Sequence, residues 1–159
     1  MKITILCVGK IKEKYYTDAV NEYAKRLSRY CKLEIIQVED EKTIENSTET
    51  EMDLVKQKEA QRLLRKIPEN AYVITLEING KQLDSVELAE KIERLGVTGT
   101  SHIVFVIGGS LGLHHTVSER ADFKLSFSKL TFPHQLMRVI LLEQIYRSYR
   151  IVKKEPYHK

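Results

Sequence analysis

The chain is poor in the residues that staple or metallate small proteins. Its two cysteines, Cys7 and Cys31, stand far apart and outside any Cys-x-x-Cys spacing. That argues against a disulfide or zinc framework and makes a reducing cytoplasm the expected home. No apolar run approaches the roughly 20 residues that a membrane-spanning helix needs, so no membrane partner is expected. The opening Met1–Lys14 is one short apolar run followed by lysines, without the small-residue cleavage site of a signal peptide. No Ser-His-Asp triad, metal-spaced ligand set or paired-carboxylate signature stands out. The glycines also fail the dinucleotide pattern. Only Gly9 follows the first apolar run, and neither Gly-x-Gly-x-x-Gly nor a Gly-Lys-Ser/Thr phosphate loop occurs.

What is present is an ordinary globular composition of 159 residues, enough for one domain and short of two. Hydrophobic residues at 42% and charged residues at 30% exclude wholesale disorder. The net charge of +4 is unevenly spread. Residues 1–119 carry 17 Lys and Arg against 19 Asp and Glu, whereas residues 120–159 carry nine against three. A basic end on a nearly neutral body suits a polyanionic partner, because phosphate contacts release counterions. The same charges would also complement the dipole of a solvated C-terminal helix. Charge by itself does not separate the two.

Apolar spacing predicts ten alternating elements. Ile3–Val8 reads as a strand ending at Gly9, and Ala19, Val20, Tyr23 and Leu27 mark an amphipathic helix. Leu33–Val38 is a second strand, residues 42–50 a polar loop, and Met52 to Ile67 a helix closed by Pro68. A third strand, Ala71–Ile78, is expected to break at Asn79-Gly80. Asp84-Ser85 then caps a helix running to Gly96. His102–Ile107 is the most apolar strand. A short helix around Val117, a strand near 123–127 and a long helix from about Gln135 to Val152, opened by Pro133, complete the chain. The alternation implies a single α/β domain, with a mostly parallel sheet and helices on both faces.

Ligands of such sheets sit beyond the carboxyl ends of the strands. Three loops there are suitably built: Leu76–Gly80, Gly108–Gly112 and Phe127–Pro133. Gly108-Gly109-x-x-Gly112 lets a backbone approach a ligand closely, although a tight turn would use the same residues. Phe127-Ser128-Lys129-Leu130-Thr131-Phe132-Pro133-His134 mixes aromatic walls, hydroxyls and a cation, suited either to an aromatic base or to a helix-opening staple. His134 and Arg138, four apart, share a helix face above that loop and read as substrate contacts. Arg147, Arg150 and Lys154 form a second basic stripe. Val139–Leu142 leaves the helix apolar nearly all round, as cover by a second subunit would require. The tail Glu155–Lys159 joins a proline, Tyr157, His158 and a cation, and would supply stacking and a proton acceptor if it folded over a site.

Together these residues resemble the RlmH family of SPOUT-class methyltransferases. The resemblance runs through Thr75–Lys81, Ile107–Gly112, Leu125–His134, Leu136-x-Arg138, Glu143–Arg147 and Pro156-Tyr157-His158, and covers the full length. It implies one domain over residues 1–159, a deep C-terminal trefoil knot within about 71–155, and a homodimer. It implies S-adenosylmethionine held by Leu76, Gly108, Phe127, Ser128, Lys129, Leu130, Thr131 and Phe132, without a metal. The implied reaction is methylation at N3 of a pseudouridine in large-subunit (23S) ribosomal RNA, on the assembled ribosome. In that chemistry Arg138 would stabilise the N3 anion, His134 or His158 would take the proton, and Tyr157 would close over the base. One departure is Ser110-Leu111, where some relatives carry an acidic residue. Two rivals remain: a non-catalytic ribosome-associated RNA-binding module using the basic stripe, and a nucleotide enzyme using Glu39 or Asp40 on a ribose.

Overall fold

Alternate residues of a strand face opposite sides of its sheet, and here both sides are apolar. In the computed structural model of residues 1–159, Ile3, Ile5 and Cys7 point one way with Ile103, Phe105 and Ile107, while Leu6, Val8, Val104 and Val106 point the other. Both sets are buried, as a parallel sheet covered on two faces requires. The elements run β1 (Lys2–Val8), α1 (Lys14–Leu27), β2 (Lys32–Val38), α2 (Glu49–Arg65), β3 (Tyr72–Gln82), α3 (Ser85–Val97), β4 (His102–Ile107), α4 (His115–Arg120), β5 (Phe123–Ser126) and α5 (His134–Val152). The strands pair in parallel in the order β2-β1-β4-β3-β5. Val20 and Leu27 of α1, Leu88 and Ile92 of α3, and Leu141, Leu142 and Ile145 of α5 fill one side. Ala60 and Leu63 of α2 and Val117 of α4 fill the other.

Helix starts follow their side-chain chemistry. The Asp84 carboxylate accepts from the Glu87 N–H at 2.7 Å, and Glu87 returns the bond to the Asp84 N–H at 2.9 Å. Thr48 caps α2 by accepting from the Glu51 N–H at 3.2 Å, so the polar loop ends there instead of at residue 50.

Two expectations are corrected. β3 does not break at Asn79-Gly80 but continues to Gln82. Its register against β5 slips so that both Leu76 and Lys81 pair with Leu125. Residues 77–80 are the extra length of a bulge, pinned where Ser126 Oγ donates to the Ile78 carbonyl at 2.8 Å. Gly80 is needed for this closeness: a Cβ there would lie 2.7 Å from the Lys124 carbonyl oxygen. The second correction concerns Val139–Leu142. Leu141 and Leu142 are fully buried within their own chain because α5 lies between α1 and α3. Only Val139 and Ile140 keep partial exposure for a second subunit.

Candidate active site

The carboxyl ends of β3, β4 and β5 and the first turn of α5 surround a cleft of about 650 Å³. That is the size of a small-molecule site. All three loops singled out in the sequence line it. Leu76, Gly108, Phe127, Ser128, Leu130, Thr131 and Phe132 form its walls, while Lys129 is exposed and lies outside them. Ser128 Oγ accepts from the Leu130 N–H at 3.0 Å, which turns the aromatic loop back over the cleft. At Gly108 the missing side chain serves the loop itself. A Cβ would meet the Gly112 carbonyl carbon at 2.9 Å, and Gly109 pairs with Gly112 across the turn. The close approach at Gly108 is therefore to its own loop's backbone.

Glu77 is the one acidic side chain lining the cleft, and sequence reasoning passed over it. The bulge places it there. Its Oε1 accepts from Ser118 Oγ at 2.8 Å and its Oε2 from Thr75 Oγ1 at 2.5 Å, two neutral hydroxyls. No lysine or arginine lines the cleft. The legible signal was a carboxylate directly after Leu76 at the end of an apolar strand.

His134 and Arg138 part company despite their spacing. His134 lines the cleft. Burial, and then the Arg138 charge, hold its pKa below the ordinary histidine value; Lys12 acts the same way and Asp40 opposes. Its neutral form is therefore favoured near pH 7. Arg138, 1% exposed, is absent from the walls. Its Nη2 donates to the Val8 and Gly9 carbonyls, both at 2.9 Å, while Nε and Nη1 are buried without partners.

The tail forms a second constellation. The chain reverses at Lys154, with φ of 57°, and the Glu155 N–H donates to the Arg150 carbonyl at 2.9 Å. Tyr157 O–H donates to Glu143 at 3.0 Å, and its ring packs edge-on against Tyr146 at 5.0 Å. The Arg147 guanidinium carbon lies 4.7 Å from the Tyr157 ring centre. Arg147 Nη1 sits 3.1 Å from His158 Nδ1. Arginine can only donate, so that nitrogen accepts. Arg147 lies thirteen positions after His134 along α5, about 20 Å at the helical rise. Within one chain, Tyr157 and His158 are not at the cleft.

No helix is long and apolar enough to cross a membrane, and no group of three or more His, Cys, Asp or Glu could hold a metal ion. The family described as "Predicted SPOUT methyltransferase" matches residues 1–158. The chain is 59% identical over 159 residues to a ribosomal RNA large subunit methyltransferase H from Clostridium beijerinckii and 61% identical to one from Clostridium novyi, with all of each chain covered. Among solved structures, a "probable methylase family protein" from Haemophilus influenzae superposes with a TM-score of 0.54. It shares 12% identity, and the match covers 99% of this chain and 70% of that one, so it supports the fold alone.

Proposed function

The chain belongs to the SPOUT methyltransferase family, and from that premise we propose that it methylates N3 of a pseudouridine in large-subunit ribosomal RNA with S-adenosylmethionine. The observation that carries this reading is the chemistry of the cleft. Leu76, Phe127 and Phe132 offer apolar and aromatic walls for a purine, and Glu77 supplies a negative charge with no cation beside it. That combination fits a donor whose reactive sulfur is positive. The relatives' names and the basic last forty residues support ribosomal RNA as the acceptor.

Bound S-adenosylmethionine would supply a methyl group already activated on a sulfonium. What the protein must add is alignment and removal of the N3 proton. His134 suits that removal: it lines the cleft and is held neutral. His158 suits it less, since the nitrogen facing Arg147 is already an acceptor and the other then carries the ring proton. Arg138 acts through His134, as a buried charge that keeps the imidazole neutral and anchors the end of β1. It is a positioning residue in this scheme.

The second part of the proposal is a homodimer carrying the family's C-terminal knot. The roughly 20 Å between cleft and tail within one chain is the reason to want a second copy. A partner's Tyr157 and His158 would then close the acceptor side. Mixing a cleft-defective variant with a tail-deleted one tests this: activity should return if the site is shared between copies. Calorimetry with S-adenosylmethionine tests the cleft. A chain that binds ribosomes but not the donor would instead be an RNA-binding module.

A further inference from the structure

The lysines that follow the first strand stand outside the walls of the cleft, and the sequence places its excess positive charge after residue 119. The fold brings Lys10 and Lys12 to the end of the molecule that carries the cleft, the opposite end of α5 from Arg147 and Arg150. Lys10 and Lys12 lie in the connection leaving the carboxyl end of β1, and Lys14 opens α1. The Lys12 N–H donates to Gln135 Oε1 at 3.0 Å, which ties this connection to the first turn of α5 beside His134. The charge of Lys12 is close enough to help hold His134 neutral.

Lys10 and Lys12 are exposed and form no ion pair, whereas Lys14 is engaged by Asp18 at 3.0 Å. Glu13 is the acid within the connection. Tyr15 is 64% exposed and is the one aromatic among the exposed large apolar side chains. Its ring meets that of Tyr16 at 61°, centroids 4.5 Å apart, so Tyr16 braces it while most of it stays exposed. Two exposed, unpaired lysines within five residues of an exposed aromatic ring, on a connection tied to the rim of a cleft, match the requirements of single-stranded RNA. Phosphates take the cations and an unstacked base takes the ring.

Granted the ribosomal RNA substrate proposed above, we propose that Lys10, Lys12 and Tyr15 form an RNA-gripping arm that holds the strand flanking the target nucleotide. The lysines meet consecutive phosphates and the tyrosine stacks under a neighbouring base. A second copy of the chain is the competing occupant of this surface.

The test compares wild type with Tyr15→Ala and with a Lys10→Gln, Lys12→Gln double variant. Ribosome binding is read by co-sedimentation, methyl transfer with tritiated donor, donor affinity by calorimetry and mass by light scattering. The substrate is ribosomes from cells lacking the modification. Both variants should keep wild-type mass and bind S-adenosylmethionine within twofold. Tyr15→Ala should bind ribosomes about tenfold more weakly and raise KM more than it lowers kcat, in line with one lost stacking contact. The double variant should reduce the slope of log affinity against log salt by about 1.5, close to two phosphate contacts. Ribosome affinity within twofold of wild type for both variants overturns the arm, and so does a changed mass, which would assign the surface to an interface between copies. A wild type that binds ribosomes but transfers no methyl defeats the enzymatic reading while the arm is still decided by the binding data. A wild type that does neither overturns both.

Discussion

His134 and Arg138 stand one helical turn apart on α5, yet the imidazole lines the cleft while the guanidinium donates to the Val8 and Gly9 carbonyls. Burial first, then the Arg138 charge, lowers the histidine's pKa; Lys12 adds to the effect and Asp40 works against it. A base must be unprotonated, so a lowered pKa extends activity toward acid. We expect kcat/KM for methyl transfer to be flat from pH 8 to the ordinary histidine value of about 6.5 and to fall tenfold per unit only below it. Arg138→Met removes a positive neighbour and should move that limb upward. His134→Ala should lose about 10²–10⁴ in rate. An acid limb above 6.5 in wild type, or His134→Ala within tenfold of it, would remove His134 as the base.

Glu77 is the cleft's single carboxylate, held by two hydroxyls and by no cation. In a partly enclosed site such a charge favours a positive ligand. Glu77→Gln should therefore weaken S-adenosylmethionine binding about tenfold, near 1.4 kcal/mol. S-adenosylhomocysteine, whose sulfur is neutral, should change less than threefold. Calorimetry with both ligands decides it: equal losses would show that Glu77 does not sense the sulfonium charge.

Gly80 sits where β3 bulges against β5, and a methyl group there would press on the Lys124 carbonyl oxygen at 2.7 Å. The neighbour is backbone and cannot swing aside. Gly80→Ala should cost about 1–3 kcal/mol by overpacking, which is roughly a 3–10 °C drop in melting temperature. It should also weaken donor binding, because the same bulge carries Glu77 and Ile78 into the cleft. A melting temperature within 1 °C of wild type would contradict the packing argument.

The strands and helices were largely legible because burial on both faces leaves so few polar residues in β1 and β4. His102–Ile107 was read to its observed ends. The bulge was not legible, since Asn-Gly is a turn signal locally and only the contact with Lys124 and Ser126 overrides it. The three loops of the cleft were recognised from glycine and aromatic content. Glu77 was missed because its role depends on Thr75 and Ser118, the latter 41 residues away. Arg138 was misjudged in direction for a similar reason. Four-residue spacing fixes a helix face, not where a long side chain ends.

α5 supplies a pair of neighbours with opposite expected outcomes. Leu141 is fully buried between helices and sheet, so Leu141→Asp places an unpaired charge in the core and should give aggregated or unfolded protein. Ile140 is only half-buried, lining a small pocket shared with Leu88 and Gln144. Ile140→Asp should keep the wild-type circular dichroism and convert the proposed dimer to monomer by light scattering. A folded Ile140→Asp dimer of unchanged mass would move the expected interface off this helix face.

The most direct test of the whole account is mass spectrometry of nucleosides from ribosomes treated with purified protein and deuterated-methyl S-adenosylmethionine. The ribosomes come from cells without the modification, and a Tyr157–Lys159 deletion serves as control. One labelled methyl per large subunit is expected, on N3 of a pseudouridine. The deletion should retain donor affinity and transfer almost none, because the tail lies about 20 Å from its own chain's cleft and contributes nothing to its walls. Label on any other atom, no label at all, or full transfer by the deleted protein would contradict it.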